Sequence, residues 1–121
     1  TAQGTTAIAL AQMLTLLVDK KLVGGASSSD MLELMGAAAE GGHSFLGQAQ
    51  NAGVRVLHTK VGLGWTNDQP DDPRHQVSSE ASIIQHPGGR QFVFVWVNHT
   101  GSSEFLGEVI RCTLADYLLH V

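Results

Sequence analysis

Cysteine, charged residues and long apolar runs are all scarce in this sequence. Cys112 is the only cysteine among 121 residues, so no disulfide can form within the chain. Cysteine usage therefore does not indicate whether the protein resides in a reducing or an oxidising compartment. Charged residues make up 15% and the net charge is -4 at pH 7, which argues against a nucleic-acid partner because phosphate-binding domains carry basic patches. No apolar run reaches the length of about 18 residues that a membrane span needs.

Patterns that hold metals and cofactors are missing as well. None of the six histidines stands two or four residues from another, so the usual metal-ligand spacing is absent. Gly62 and Gly64 lack the third glycine and the following helix of a dinucleotide site. The sequence therefore predicts no metal site and no cofactor.

Apolar residues make up 43% of the chain, enough for one small domain with its own core. Thr6–Leu22 has apolar residues at helical spacing, with threonines before it that can cap its start and a glycine pair after it that can stop it. Asp30 and Glu33 resemble a capping box, which predicts that a second helix begins there. A second glycine pair, from Gly41, is expected to end that helix.

Three strands and a closing helix are predicted after residue 53. The strands are Val54–Leu63, Glu80–His86 and Gln91–Asn98, the polar stretch 64–78 is an exposed loop, and Glu104–Val121 is amphipathic. The third strand is apolar on both faces, which favours a central position. Two hairpin connections give an antiparallel three-stranded meander. The expected class is α+β, in one domain, with the meander packed by two N-terminal helices and a C-terminal helix.

Five stretches resemble, in order and spacing, the C-terminal part of the serine β-lactamase and penicillin-binding-protein family. They read "TTAIALAQMLTLLVDKKLV", "SSSDMLELM", "VLHTKVGLG", "EASIIQHPGGRQFVFVWVN" and "EFLGEVIRCTLADYL". The resemblance implies that the meander is part of a larger β-lactamase-like sheet. It also implies a serine hydrolase acting on amide, ester or β-lactam bonds of a small-molecule or peptide substrate, in the periplasm or outside the cell.

The third of these stretches stands where the family has its Lys-Thr-Gly strand. The resemblance implies that Lys60 acts electrostatically on the substrate carboxylate and that Leu63 supplies a backbone N–H to the oxyanion hole. Gly62 matches the glycine of the motif. Val61 departs from it, because valine has no hydroxyl to offer the carboxylate. Trp65, which follows the strand end, is a candidate wall of the substrate cleft.

His58 and Gly64 complete the candidate substrate-binding set. His58 stands two residues before Lys60, so both side chains are expected on one face of the strand. Each of three candidates has an ordinary structural alternative. Lys60 can be a lysine that protects an edge strand, His58 a partly buried hydrogen-bonded histidine, and Trp65 an anchor for the following loop.

The nucleophile of the family is not in this chain. No serine is followed three residues later by lysine, and no Ser-Asp-Asn motif is present. The serine is therefore expected upstream of Thr1, and the chain alone is expected to be inactive. Two other interpretations stay open: a non-catalytic α+β module that assembles as a homo-oligomer, and a domain that binds a small molecule. The possible partners are thus a substrate, the N-terminal half of the domain, or a second copy.

Overall fold

The computed structural model describes residues 5–44, 54–65 and 76–98, together with positions 109, 112, 113 and 117. The elements within these residues are α1 (Ala7–Val18), α2 (Gly25–Glu40), β1 (Arg55–Trp65), β2 (Gln76–Gln85) and β3 (Gln91–Asn98). The strands pair antiparallel in the order β1-β2-β3. The predicted α+β class and the three-stranded antiparallel meander are confirmed.

Helix α1 begins as its sequence predicts and ends earlier. The Thr6 hydroxyl accepts a hydrogen bond of 3.1 Å from the backbone N–H of Ala9, which caps the first turn. The helix ends at Val18 rather than at Leu22, because Lys20 adopts a left-handed φ of 59°. Leu22 then turns back and packs against the core, so its apolar character reflects burial and not a further helical turn.

Helix α2 begins earlier than its capping residues suggest. It starts at Gly25 behind Gly24, which makes no side-chain cap, so the predicted start at Asp30 and the capping box are wrong. The first turn is anchored instead by Ser28, which is fully buried and donates to the Val23 carbonyl at 3.2 Å. Small polar residues in this turn hide the apolar periodicity that marks a helix in sequence.

The two hairpin strands extend into the stretch that the sequence assigns to a loop. Trp65 pairs with Gln76 and Gly64 with Val77, so β2 begins four residues before Glu80. Polar residues join the ladder because pairing satisfies their backbone groups whatever their side chains. Residues 66–75 lie outside the described residues. So does most of the predicted closing helix, although its four described positions have helical backbone.

The central strand of the described sheet is β2, which pairs on both sides. The prediction that β3 is central is wrong, since within the described residues β3 pairs with β2 alone. Its two apolar faces serve two separate cores. Val93 packs among residues beneath the helices, whereas Phe92, Phe94 and Trp96 belong to a cluster on the other side of the sheet.

The sheet thus has two distinct faces. On the helix face, α2 packs over β1 and α1 packs over β3, around buried Leu14, Leu17 and Ile83. On the opposite face, Ile84 and Trp96 form the centre of a second apolar cluster. The alternation of β2 side chains places Ala81 and Ile83 on the helix face.

Candidate functional site

Strand β1 carries the candidate site residues and lies at one edge of the described sheet. A β-bulge between Val56 and His58 shifts the register, after which each residue pairs regularly with β2. His58 and Lys60 are opposite Ile83 and Ala81, so both lie on the helix face, as the two-residue spacing predicts. Thr59 and Val61 lie on the opposite face.

The Lys60 side chain is exposed at this edge and folds back onto its own strand. Its Nζ donates a hydrogen bond of 2.7 Å to the carbonyl oxygen of Val61. A single exposed hydrogen bond is weak in water. The ammonium group can therefore leave the carbonyl and bind an anion at little cost. The same position also suits a lysine that protects an edge strand.

The bond from Lys60 indicates the direction of the backbone groups along β1. The acceptor of this bond is the Val61 carbonyl. A side chain can reach the carbonyl oxygen, as expected if the carbonyl points away from β2. Both backbone polar groups of one residue point to the same side of an antiparallel strand, and the side alternates along the chain. The Leu63 N–H therefore points to the same outer edge. Its side chain is 57% exposed.

The two glycines of the strand have different surroundings. A Cβ on Gly62 would lie 2.9 Å from the hydroxyl oxygen of Ser79, its cross-strand partner. A Cβ on Gly64 would meet nothing within 4 Å. A side chain at position 62 would therefore force the Ser79 hydroxyl to shift, whereas no described neighbour opposes one at position 64. Gly64 leaves open space beside the strand.

The His58 ring is held against α2. Its Nδ1 lies 2.8 Å from the carbonyl oxygen of Leu32, and because a carbonyl only accepts, Nδ1 carries the proton. Gly36 makes room for the ring, since a Cβ there would come within 3.3 Å of Nδ1. This is the geometry of a partly buried, hydrogen-bonded histidine. Trp65 is the last residue of β1, and its side chain lies outside the described part of the chain.

A buried polar cluster lies on the opposite face, next to the candidate site. We call it the Glu80 cluster; its members are Glu80, Ser44, Thr59 and Ser82, none more than 2% exposed. Glu80 Oε2 accepts hydrogen bonds from Ser44 Oγ at 2.5 Å, Thr59 Oγ1 at 3.0 Å and Ser82 Oγ at 2.6 Å. Ser82 Oγ is also within 2.9 Å of Thr59 Oγ1.

The Glu80 cluster joins β1, β2 and the chain that follows α2. Burial of a carboxylate is unfavourable unless hydrogen bonds replace its water, and here three hydroxyls do so. Thr59 is the hydroxyl residue nearest Val61 on the same face of β1, but its hydroxyl is committed to Glu80. It therefore does not replace the hydroxyl that Val61 lacks.

The sequence interpretation did not single out this cluster. Its signal is the run Ser78, Glu80 and Ser82, three polar residues at alternate positions of one strand. Such a pattern normally indicates a face in contact with water. Here all three residues are buried, and Ser44, from outside the strand, contacts Glu80 on the same face.

Metal and membrane features are not found among the described residues. No three histidine, cysteine or acidic side chains in these ranges are grouped so that they could hold a metal ion. No helix in the same ranges is both long and apolar enough to cross a membrane.

Comparison with protein-family models and with curated proteins finds no match for this chain.

Proposed function

We propose that residues 1–121 are the C-terminal part of a penicillin-recognising serine hydrolase, whose acyl-forming serine lies in a segment outside them. The observation that supports this most is the geometry of β1. The exposed Lys60 lies at the free edge of the described sheet, and from the alternation of an antiparallel strand we infer that the Leu63 N–H points to the same edge. A cation and a backbone donor on one strand edge suit an anionic substrate with a carbonyl to be attacked.

In this proposal Lys60 attracts the substrate carboxylate and Leu63 donates its N–H to the developing oxyanion. Gly62 and Gly64 keep the strand free of side chains, so that the substrate backbone can approach. Val61 offers no hydroxyl, and carboxylate recognition therefore depends on the lysine charge. The His58 ring, oriented by α2, lies on the same face of β1 as Lys60.

The proposal is tested by labelling the protein, as its native source produces it, with a fluorescent penicillin. We expect one acylated serine, and peptide mass spectrometry should place it outside residues 1–121. The isolated chain should form no covalent adduct. Acylation of a serine within these residues, or no acylation of the native protein, would contradict the proposal.

A variant pair tests the role of Lys60 in the same labelling assay. Lys60→Gln should slow acylation about tenfold or more, because an electrostatic contact to the reacting substrate is lost. Lys20→Gln removes the same charge from an exposed position after α1 and should leave the rate unchanged. Equal acylation rates for the two variants would mean that Lys60 is not part of the site.

A second candidate function is self-assembly through α1. This helix has no charged residue, yet Ile8 is 72% and Leu16 41% exposed. Sedimentation velocity over a range of concentrations tests it. Association that Leu16→Lys abolishes, and that Leu34→Lys on α2 does not, would support assembly. A monomer at every concentration would exclude it.

A further inference from the structure

The outer side of α1 carries a row of residues that face solvent, which we call the α1 stripe. A depression runs along it, and its lining comes from this helix alone: Ile8, Ala11, Gln12, Thr15 and Leu16. The buried residues of the helix, Leu14 and Leu17, belong to the core beneath it. The helix has no charged residue. The stripe is therefore an apolar surface outside the core.

Only two side chains of the stripe are polar, and one of them is satisfied within the helix. Thr15 Oγ1 donates a hydrogen bond of 2.8 Å to the carbonyl oxygen of Ala11, which leaves the threonine methyl group for other contacts. Gln12 is exposed, and its amide carries both donors and an acceptor. A partner that covers the stripe must therefore be apolar and must offer a donor and an acceptor near Gln12.

The stripe is symmetric about Gln12. Ile8, 72% exposed, stands four residues before it, and Leu16, 41% exposed, stands four residues after it. In an antiparallel pair of identical helices with a twofold axis at Gln12, Ile8 of each copy lies opposite Leu16 of the other. The two Gln12 amides face each other, and each can donate to the other. A second copy of the chain thus meets both demands.

The charge at the end of α1 favours the same arrangement. Asp19 is the exposed C-cap of the helix and stands seven residues, about two turns, after Gln12. Thr5 stands seven residues before Gln12, next to the helix start. Antiparallel pairing brings the Asp19 carboxylate to the start of the other helix, where the dipole favours an anion. Parallel pairing would place two Asp19 carboxylates together.

The length of α1 sets the strength of such a pair. Its 12 residues span about 18 Å. Two helices of this length bury less than the roughly 1,600 Å² of a standard stable interface, so the association is concentration-dependent. A dissociation constant on the order of 0.1 mM is expected.

We propose that two copies of this chain pair antiparallel through the α1 stripe, about a twofold axis at Gln12. The inference rests on the second candidate function, self-assembly through α1, and adds which residues meet. Because each stripe is covered by the other, the pair is closed and association stops at the dimer. The proposed hydrolase site on β1 takes no part in it.

A charge swap at position 12 tests the axis, because only a residue on the axis faces its own copy. Gln12→Glu and Gln12→Lys should each be monomeric at concentrations where the parent is dimeric, since like charges meet. An equimolar mixture of the two variants should associate again, as a heterodimer. Sedimentation velocity measures all three samples. The control swap, Leu34→Glu and Leu34→Lys, lies on exposed α2 and should leave association as in the parent.

Disulfide cross-linking tests the direction of the helices, in a Cys112→Ser background that removes the native thiol. When Ile8→Cys and Leu16→Cys chains are mixed, the disulfide between the two different chains should predominate, and intact mass identifies it. Each variant alone should cross-link poorly. A predominance of Ile8→Cys chains joined to one another would show parallel helices and would overturn the proposal.

Asp19→Asn tests the contact with the start of the other helix. Each dimer contains this contact twice, so the dissociation constant should rise by about threefold or more, and less so at high salt. Asp30→Asn makes the same change at an exposed position of α2 and should leave the constant unchanged. Equal constants for the two variants would contradict the antiparallel arrangement.

The remaining outcomes separate this inference from the proposed functions. A parent that stays monomeric at about 1 mM would exclude both self-assembly and the antiparallel pair. If the parent associates and Leu16→Lys abolishes association, but the mixed Gln12 variants stay monomeric, self-assembly through α1 stands and the axis at Gln12 is wrong. Penicillin labelling of the native protein tests the hydrolase proposal alone.

Discussion

Ser44 Oγ donates a hydrogen bond of 2.5 Å to Glu80 Oε2, and this contact links the two faces of the sheet. Helix α2 ends at Glu40 on the helix face, whereas Glu80 points to the opposite face. Residues 41–44 therefore carry the chain from one face to the other, through Gly42 at a φ of 78°. The hydrogen bond to the buried Glu80 side chain then fixes the position of Ser44 on the opposite face.

Removal of the Glu80 carboxylate should cost more stability than any surface change. Glu80→Ala leaves the buried hydroxyls of Ser44, Thr59 and Ser82 without their shared acceptor, and we expect a loss of about 2–4 kcal/mol in the free energy of unfolding. Urea denaturation measures it. Glu33→Ala, on the exposed side of α2, is the control and should stay within about 0.5 kcal/mol of the parent.

Glu80→Gln separates hydrogen bonding from charge at the same position. The amide oxygen can still accept from two hydroxyls, so the loss should be roughly half that of Glu80→Ala. Equal losses for the glutamine and alanine variants would mean that the amide cannot replace the carboxyl group as the shared acceptor of the cluster.

The two glycines of β1 should respond oppositely to alanine. Gly62→Ala places a methyl group against Ser79 Oγ and should destabilise the protein by about 1–2 kcal/mol. Gly64→Ala enters open space and should be neutral or stabilise by up to about 1 kcal/mol. Thermal denaturation compares them. The double variant G62A/S79G should recover stability if the clash is the cause.

Gly36→Ala tests how firmly α2 holds the His58 ring. In a helix interior this change normally stabilises by about 1 kcal/mol. Here the ring is tied to Leu32 and cannot move away, so we expect destabilisation instead. In a His58→Ala background the same change should become stabilising, and a double-mutant cycle in urea measures the difference. The same sign in both backgrounds would show that the ring yields.

His86 should stabilise the turn between β2 and β3 through its side chain. Its Nδ1 accepts a hydrogen bond of 3.1 Å from the backbone N–H of Gly88. His86→Leu removes this acceptor and should cost about 0.5–1.5 kcal/mol. His86→Asn retains a side-chain acceptor suited to a turn and should cost less. If both variants lose equally in thermal denaturation, the ring contributes by packing alone.

The elements that were predicted correctly are those with strong local signals. The threonine cap of α1 and the Pro-Gly-Gly turn between two apolar strands act over three or four residues, so they are visible in sequence. The start of α2 and the first residues of β2 were missed. There the local residues are small or polar, and the structure depends on partners elsewhere in the chain.

The candidate site shows the same division. The two-residue spacing of His58 and Lys60 predicted a shared face, because alternation is a property of any strand. The contact between the His58 ring and the Leu32 carbonyl could not be predicted, since the two residues are 26 positions apart in the chain. The Glu80 cluster could not be predicted from the sequence either, because Ser44 and Glu80 are 36 residues apart.

By itself, the sequence determined the α+β class, the meander and the strand that bears Lys60, because periodicity and turn residues act locally. Only the tertiary structure decided that β2 is the central strand of the described sheet and that the Glu80 side chain is buried beside Thr59. Those features arise where side chains from distant segments meet, and the free energy of such contacts depends on packing that no short stretch contains.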